Sequence, residues 1–429
     1  MSPGEHDHPL RRVLHDEVHA RPYEALVAPL RATHLAFLSG EGAAAGERAH
    51  VAALCAHFGV APPAEAGAFV SLGLGPFRLR WERHTEFSTY TFFRTGPTAA
   101  PFAETAGAAV PKEWLAAVPG QRLAAIHAEL VPAAGAALRP DTAASDLGGE
   151  ILAGSLMSDG KAAAWTDFRI GADGFERILV EDRGMAPRQA GRLLQRLFEI
   201  ETYRMLALMA FPLARETAPV LAPIEAQLAE IAAAMRESRD IEAERELLAR
   251  LTSLAAEVER RSAAANYRFG AARAYYALVT HRIAELREER IAGVQTAGEF
   301  MERRLAPAMR SCVSVAERLE SLSVRIARAA QLLRTRVEVA LEEQNRNLLD
   351  SMNRRALLQL RLQQTVEGLS VAAISYYVVG LVGYAAKALN QAGVALDAEL
   401  AQGAAIPVVV LLAFLGVRRI RRMLRHDRG

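Results

Sequence analysis

The chain has little cysteine and little lysine. Its two cysteines, Cys55 and Cys312, are far apart in 429 residues and do not form a disulfide framework. Lys112, Lys161 and Lys387 are the three lysines, so arginine supplies nearly all the positive charge. The formal net charge is only +2, and arginine alternates with glutamate over most of the length. This balance argues against a nucleic-acid-binding protein.

The sequence also lacks the short motifs of the common enzyme classes. No nucleophile elbow, Walker loop, glycine-rich dinucleotide fingerprint or HExxH occurs. The N-terminus is polar and has no apolar core of a signal peptide. We therefore expect no enzymatic activity and no cofactor, and we expect residues 1 to about 365 to be cytoplasmic.

Two long apolar stretches lie near the C-terminus. Leu369 to Ala386 contains no charge, and a second stretch centres on Ala404 to Val417, reaching about 18 residues if it begins at Leu400. A bilayer core needs about 20 apolar residues in a helix, so the first stretch fits and the second is marginal. The pattern predicts a transmembrane hairpin over residues 366–418. The alternative is a buried helical hairpin of a soluble protein.

Charges around these stretches predict the orientation of the hairpin. The loop between them has Lys387 balanced by Asp397 and Glu399. Positive charge stays on the cytoplasmic side, so both termini are expected inside a bacterial inner membrane and the loop outside. The flanking cations are Arg354, Arg355 and Arg361 before the first span, and Arg418, Arg419, Arg421, Arg422 and Arg425 after the second. The last of these belong to a basic cytoplasmic tail, residues 419–429.

Residues 1–211 read as a cytoplasmic mixed α/β domain. Pro76 to Arg94 alternates apolar and polar side chains, which is strand periodicity, with Leu79 and Trp81 on one face and Arg80 and Glu82 on the other. Two further strands flank the turn at 171–174. The alanine-rich stretch after residue 41 predicts a helix. Another helix should begin at Pro187 and end near Pro212.

Residues 212–365 read as a helical, coiled-coil-like stalk. Apolar residues recur at steps of three and four, and breaks near 238–240 and 293–298 divide the segment into about three helices. No stop follows Pro307, so the last helix should continue into the first span. Residues 308–386 as one helix would extend roughly 120 Å, so we expect packing within the chain or self-association into a homo-oligomer. The seams are Ile224, Leu228, Ile231, Met235; Leu247, Leu251, Leu254, Val258; and Leu319, Leu322, Ile326, Ala329, Leu333.

Two polar segments are candidates for chemistry. His84 and Glu86 stand two apart near the aromatic strands and would share one face of a strand, where a histidine and a carboxylate can transfer a proton. A polar pair on a solvated sheet is the simpler interpretation. His15 and His19 have the i, i+4 spacing of metal ligands, within a segment that also contains His6, His8, Asp16 and Glu17. No third ligand stands at a regular spacing, so we predict no metal site.

The first apolar stretch carries a stripe of small and aromatic residues. Tyr376, Gly380, Gly383 and Tyr384 fall near one face, with Lys387 at its end. Small residues at this spacing permit close approach of helices in lipid, and a ring of such stripes could instead line a pore. We predict helix packing. Glu367, just inside the membrane, would need a cationic partner on a neighbouring helix.

Several segments together resemble one family: bacterial membrane-anchored proteins of about this length, classed as a domain of unknown function. The segments are HPLRRVLHDEVHARP (8–22), WERHTEFSTYTF (81–92), FEIETYRMLALMAFPLAR (198–215), EFMERRLAPAMRSC (299–312) and SMNRRALLQLRLQQTVEGLSVAAISYYVVGLVGY (351–384). They cover nearly the whole chain. The resemblance implies a membrane anchor and no established activity.

The order of domains is also similar to that of the CorA-type magnesium channels. Those channels carry Gly-Met-Asn at the outer end of their first span, whereas this chain has Gly383 to Lys387 there and no Gly-Met-Asn anywhere. A lysine at a pore mouth repels cations. The prediction is therefore an α+β membrane protein that acts as a self-associating scaffold or sensor with an unidentified small-molecule or ion ligand. A CorA-like channel or transporter is the alternative, and a membrane-tethered enzyme is a third class.

Overall fold

The computed structural model describes residues 8–12, 14–15, 22–62, 67–133, 139–149, 153–238, 240–393 and 397–426, without the side chains of 41, 398 and 420–426. The chain forms two compact units. The first comprises Met1–Ser238 and Glu246–Ala330, and the second comprises Arg239–Arg245 and Gln331–Gly429. The predicted mixed α/β class is confirmed, with an N-terminal sheet and a long C-terminal helix. The predicted boundaries at 211, 365 and 418 stay predictions.

A mixed sheet of nine strands organises the first unit. Its strand order is β2-β3-β4-β1-β5-β8-β7-β6-β9, and β5 and β8 are the one parallel pair among the described strands. The strands are β1 Leu30–Leu38, β2 Phe69–Gly73, β3 Arg78–Arg83, β4 Phe87–Thr95, β5 Gln121–Pro132, β6 Ala153–Met157, β7 Ala162–Thr166, β8 Glu176–Asp182 and β9 Glu289–Arg290.

Eight α-helices accompany these strands in the described part of the chain. They are α1 Ala44–His57, α2 Lys112–Ala116, α3 Pro140–Leu147, α4 Pro187–Leu208, α5 Ala210–Glu237, α6 Ile241–Leu286, α7 Ala297–Gln391 and α8 Ala398–His426. Pro307 lies inside α7 without ending it, as the sequence predicted. The break at Met209 separates α4 from α5 three residues before Pro212.

One face of the sheet packs against α1 and forms an apolar core. Leu54 and Cys55 of α1 are fully buried against Leu79, Trp81 and Tyr90 of the central strands. These strand residues alternate with polar ones, and the predicted face assignment of residues 79–82 is confirmed. The polar residues between them therefore point to the opposite face.

Helix α4 covers the opposite face. Pro187 opens it, which suits proline because the first helical N–H has no intrahelical partner. Leu194, Leu197 and Phe198 are buried on the side of α4 that faces the sheet. The side chains between α4 and the sheet include several buried polar groups, and the candidate site lies there.

Helices α5, α6 and the first part of α7 bury the predicted seams within a single chain. Ion pairs link α5 to its neighbours: Arg318 of α7 lies 3.0 Å from Glu225, and Arg250 of α6 lies 3.8 Å from Glu230. Leu251, Leu322 and Ile326 are at most 1% exposed. The apolar residues of these seams are therefore buried within one chain, and their burial does not require a second copy.

Candidate functional site

A polar cleft lies between α4 and the sheet. Its volume is about 510 Å³, including space open to solvent. Cross-strand pairing aligns its floor: His34 of β1 stands opposite Thr91 of β4, and Thr91 stands opposite Arg80 of β3. The next row brings Thr89 beside Glu82. Three adjacent antiparallel strands thus present two rows of polar side chains to one helix.

Arg80 is the buried cation of this cleft. It is 4% exposed, and its Nε donates to the Glu82 carboxylate while Nη1 donates to the Pro22 carbonyl at 2.6 Å. The guanidinium also lies over the Phe69 ring, 4.9 Å from its centroid. Among the described residues, no acceptor lies within hydrogen-bonding distance of Nη2. Nη2 of Arg80 is therefore a buried donor without a partner, on a side chain that lines the cleft.

His34 forms a polar bridge from the sheet to α4. Its Nδ1 lies 2.8 Å from the Thr91 hydroxyl, and its Nε2 lies 3.1 Å from the Thr202 hydroxyl. The ring stacks on Phe198 at 4.8 Å. Burial, with a smaller effect of His84 and Arg80, lowers the pKa of His34 to about 3. The imidazole is therefore neutral at physiological pH, and one nitrogen donates while the other accepts.

The structure separates the predicted pair His84 and Glu86. Both lie in the turn between β3 and β4, not on a strand. His84 enters the cleft, stacks on Phe87 at 4.1 Å and has Nε2 3.9 Å from the Glu82 carboxylate. Glu86 is 5% exposed and pairs with Arg268 of α6 at 2.9 Å. The expectation that they share one face was wrong because the chain reverses at these residues.

A close backbone contact forms one end of the cleft. The Leu26 amide donates to the Pro187 carbonyl at 2.9 Å, which lays residues 22–27 across the start of α4. Gly191 permits this approach, since a Cβ there would lie 1.8 Å from the Glu24 carbonyl oxygen. The Glu24 carboxylate lines the cleft and pairs with Arg78 at 3.1 Å.

A second buried polar group lies farther along α4. Arg204 Nη2 contacts Glu176 at 2.8 Å and Glu201 at 2.5 Å, and the two carboxylates are 5% and 2% exposed. Burial and the neighbouring Glu201 raise the pKa of Glu176 to about 9, against the opposing effect of Arg204. Burial and Glu201 therefore favour the protonated carboxyl of Glu176 at neutral pH, which leaves Arg204 with one ionised carboxylate to balance.

Local sequence signals exist for part of this site only. Arg80 and Glu82 stand out as charged residues alternating with aromatic ones in a predicted strand. His34, Thr91 and Thr202 come from three separate elements, and no spacing links them. The predicted histidine cluster was not tested: His6, Asp16, Glu17 and His19 lie outside the described residues. Among those described, no group of three or more His, Cys, Asp or Glu side chains is arranged to hold a metal ion.

Three stretches of the described chain are long and apolar enough to cross a membrane: Pro187–Glu237, Ala297–Gln391 and Glu399–Arg419. Their most apolar windows are 33%, 17% and 0% buried, respectively. The first stretch contains α4, whose apolar side chains pack against the sheet. The other two contain the predicted spans, and few of the apolar side chains in their windows are buried.

The residues of the predicted packing stripe of α7 differ in their surroundings. Gly383 is buried, and a Cβ there would lie 2.8 Å from the carboxamide of Gln402 of α8. A Cβ at Gly380 would meet nothing within 4 Å. Tyr376 and Tyr384 are 79% and 75% exposed. Within this unit, Gly383 is therefore a close-contact position between α7 and α8.

The predicted flanking cations that the structure describes are all exposed: Arg354, Arg355, Arg361, Lys387, Arg418 and Arg419. The side chains of Arg421, Arg422 and Arg425 fall outside the described part of the chain. In the described part of the second unit, no arginine or lysine side chain is buried.

These features define a class: a mixed α/β protein whose C-terminal helices are apolar enough to associate with a membrane. The chain belongs to the family described as "Protein of unknown function (DUF3422)", whose model matches residues 6–424. The family resemblance seen in the sequence is thereby confirmed over nearly the whole chain. No curated protein and no solved structure matches it.

Proposed function

We propose that this protein is a self-associating scaffold or sensor, anchored in the bacterial inner membrane by a hairpin of the end of α7 and α8. The exposure of the apolar windows is the observation that carries the proposal, since none of the window in Glu399–Arg419 is buried. Leu400, Leu412 and Phe414 are 73%, 63% and 56% exposed. Apolar surface of this extent is unfavourable in water and is the normal surface of a helix in lipid.

The charge pattern supports an orientation with both termini in the cytoplasm. Exposed arginines flank the two helices on one side, and the described part of the connecting loop has Lys387, Asp397 and Glu399. Arginine and lysine near spans are retained on the cytoplasmic side. The sheet and the cleft would then lie in the cytoplasm, where a small intracellular ligand can reach them.

A second exposed apolar series supports self-association. Leu341, Leu348, Leu362 and Leu369 of α7 recur every seven residues, and Leu348, Leu362 and Leu369 are 60%, 67% and 74% exposed. Arg355 occupies the remaining position of the series. Copies anchored in one membrane are parallel, so equivalent positions meet, as in a parallel coiled coil. A polar residue in such a seam specifies register at a cost in stability.

We infer a binding role instead of catalysis for the cleft. Both ring nitrogens of His34 are hydrogen-bonded to threonine hydroxyls. His84 and Glu86 contact different partners. The hydroxyls of Thr91 and Thr202 lie next to His34, but the lowered pKa of this imidazole, about 3, makes it a weak general base at neutral pH. These contacts support recognition of a ligand by the domain. No contact among the described residues favours the channel alternative.

Cysteine accessibility in intact cells tests the topology. The variants Cys55→Ala and Cys312→Ala remove both native thiols, and single cysteines are then placed at Gln391 and at Gly416. We expect a membrane-impermeant maleimide added from outside to modify the cysteine at 391. The cysteine at 416, near the cytoplasmic end of α8, should react only after the membrane is opened.

Two results would contradict the proposed topology. One is labelling at 416 in intact cells, and the other is recovery of the protein in the soluble fraction without detergent. A cysteine at exposed Glu320, in the cytoplasmic part of α7, serves as the matched control and should stay protected in intact cells.

A further inference from the structure

We propose that the cleft between α4 and the sheet binds a small monocarboxylate with an apolar body, and that Arg80 receives its carboxylate. This inference rests on the sensor role and gives it a ligand class. The observation behind it is Nη2 of Arg80, a buried donor without a hydrogen-bond partner on a residue that lines the cleft. A buried donor without an acceptor is costly, so an acceptor from a ligand is favoured there.

The partners of Arg80 fix how its guanidinium is presented. The Glu82 carboxylate accepts a hydrogen bond from Nε, and the Pro22 carbonyl accepts one from Nη1. The Phe69 ring covers one face of the guanidinium. The remaining N–H groups of Nη2 are thus held in one orientation. A carboxylate oxygen is the acceptor that guanidinium N–H groups bind most strongly among common organic groups of single charge.

The charges around the cleft limit the ligand to one negative charge. The carboxylates of Glu24, Glu82 and Glu199 line the same space. Arg78 pairs with Glu24 and Arg282 pairs with Glu199, so neither pair contributes a free positive charge. Arg80 is itself paired with Glu82, so a dianion such as phosphate would find too little compensating positive charge at Nη2, whereas a monocarboxylate carries half that charge and needs one donor group.

The remaining walls specify the body of the ligand. They are the side chains of Leu26, Phe87, Phe93, Leu194, Phe198 and Tyr203. Small-molecule sites are mainly apolar with a few placed polar groups. An aromatic or short aliphatic carboxylate matches this distribution, with its apolar part against α4 and its carboxylate on the sheet.

Ligand-observed fluorine NMR with 4-fluorobenzoate tests the proposal on the full chain in detergent micelles. We expect saturable binding with a Kd on the order of 1 mM, typical of a ligand with few atoms. Neutral 4-fluorobenzamide has the same shape and should bind at least about 10-fold more weakly, because it lacks the charge that Arg80 attracts. Inorganic phosphate should not displace the carboxylate.

Three variants locate the binding. Arg80→Lys keeps the charge but removes Nη2 and should weaken binding at least about 10-fold. Gln195→Phe fills the cleft from the half-buried side of α4 and should abolish binding even if Arg80→Lys folds poorly. Arg31→Lys changes an equally buried arginine outside the cleft lining, and it should leave the Kd unchanged.

The outcomes separate this inference from the proposed function. Equal binding of the amide, displacement by phosphate, or no binding of any probe would overturn the carboxylate site. Binding that survives Gln195→Phe would place the ligand elsewhere and would also overturn it. Failure of the membrane topology leaves the probe titration unaffected, since the cleft lies wholly within the first unit.

Discussion

A buried ionisable group formed by β8 and α4 ties the stability of the domain to pH. Glu176 and Glu201 share Arg204, and the pKa of Glu176 is raised to about 9 from the ordinary value of 4.5, chiefly by burial and then by Glu201. A folded-state pKa above the unfolded value means that the folded state binds the proton more tightly. This contribution is complete below about pH 4.5 and is lost as the pH rises toward 9.

The variant Glu176→Gln should flatten this dependence. The amide can still accept from Arg204 and requires no proton uptake. Between pH 5 and pH 9, we expect the wild-type free energy of unfolding to fall by about 1–3 kcal/mol more than that of the variant. Urea unfolding across this range measures the difference. Glu320→Gln on the exposed side of α7 is the control. If the free energy of unfolding has the same slope against pH in wild type and in Glu176→Gln, the raised pKa of Glu176 would be refuted.

At the scale of elements, one glycine decides how residues 22–27 cross α4. In Gly191→Ala, the new Cβ would lie 1.8 Å from the Glu24 carbonyl oxygen, a backbone atom that must move. We expect a loss of about 1–3 kcal/mol of stability and faster hydrogen exchange at the Leu26 amide. Gly270→Ala in α6 is the matched control, since nothing lies within 4 Å of its Cβ.

The control substitution should stabilise α6 by up to about 1 kcal/mol, because alanine is a better helix former than glycine. Denaturant unfolding compares the two variants, and exchange mass spectrometry follows residues 22–30. If Gly191→Ala is as harmless as Gly270→Ala, the contact of residues 22–27 with α4 is not tight in solution.

Elements with local signals could be predicted from the sequence, and their assembly could not. Alternation identified β3 and β4, a glycine turn identified the β7–β8 hairpin, and steps of three and four identified α5 to α7. The pairing of β1 with β4 and β5 depends on contacts between distant residues. For the same reason His34, Thr91 and Thr202 form one hydrogen-bonded group that no local pattern indicates.

The turn at 84–86 shows how a small local error changes the chemistry. If the chain continued through these residues as one strand, His84 and Glu86 would lie on the same face of the sheet. The chain instead reverses there, so His84 faces α4 and Glu86 reaches Arg268 of α6. Arg268 lies 182 residues further along the chain. Because of this turn, the carboxylate near His84 is that of Glu82 and not that of Glu86.

For the whole molecule, the two sets of apolar residues on the long helices have different roles. The seam at Leu319, Leu322 and Ile326 is buried in one chain and stabilises the fold. The series at Leu348 and Leu362 is exposed in one chain and remains available to a second copy. Sequence periodicity alone could not separate these sets, because both have the same heptad-like spacing. Burial in the folded chain separates them.

Substitutions in the two sets should consequently give opposite results. Leu348→Glu with Leu362→Glu adds charge at exposed positions, so the melting temperature of the first unit should be preserved while the oligomer dissociates. Leu322→Ala leaves a cavity in the buried seam and should cost about 2–5 kcal/mol of stability, with folded protein still oligomeric. Light scattering after size exclusion in mild detergent gives the subunit number, and thermal unfolding gives the stability. A monomeric wild type, or an oligomer that survives the double glutamate variant, would rule out self-association through this part of α7.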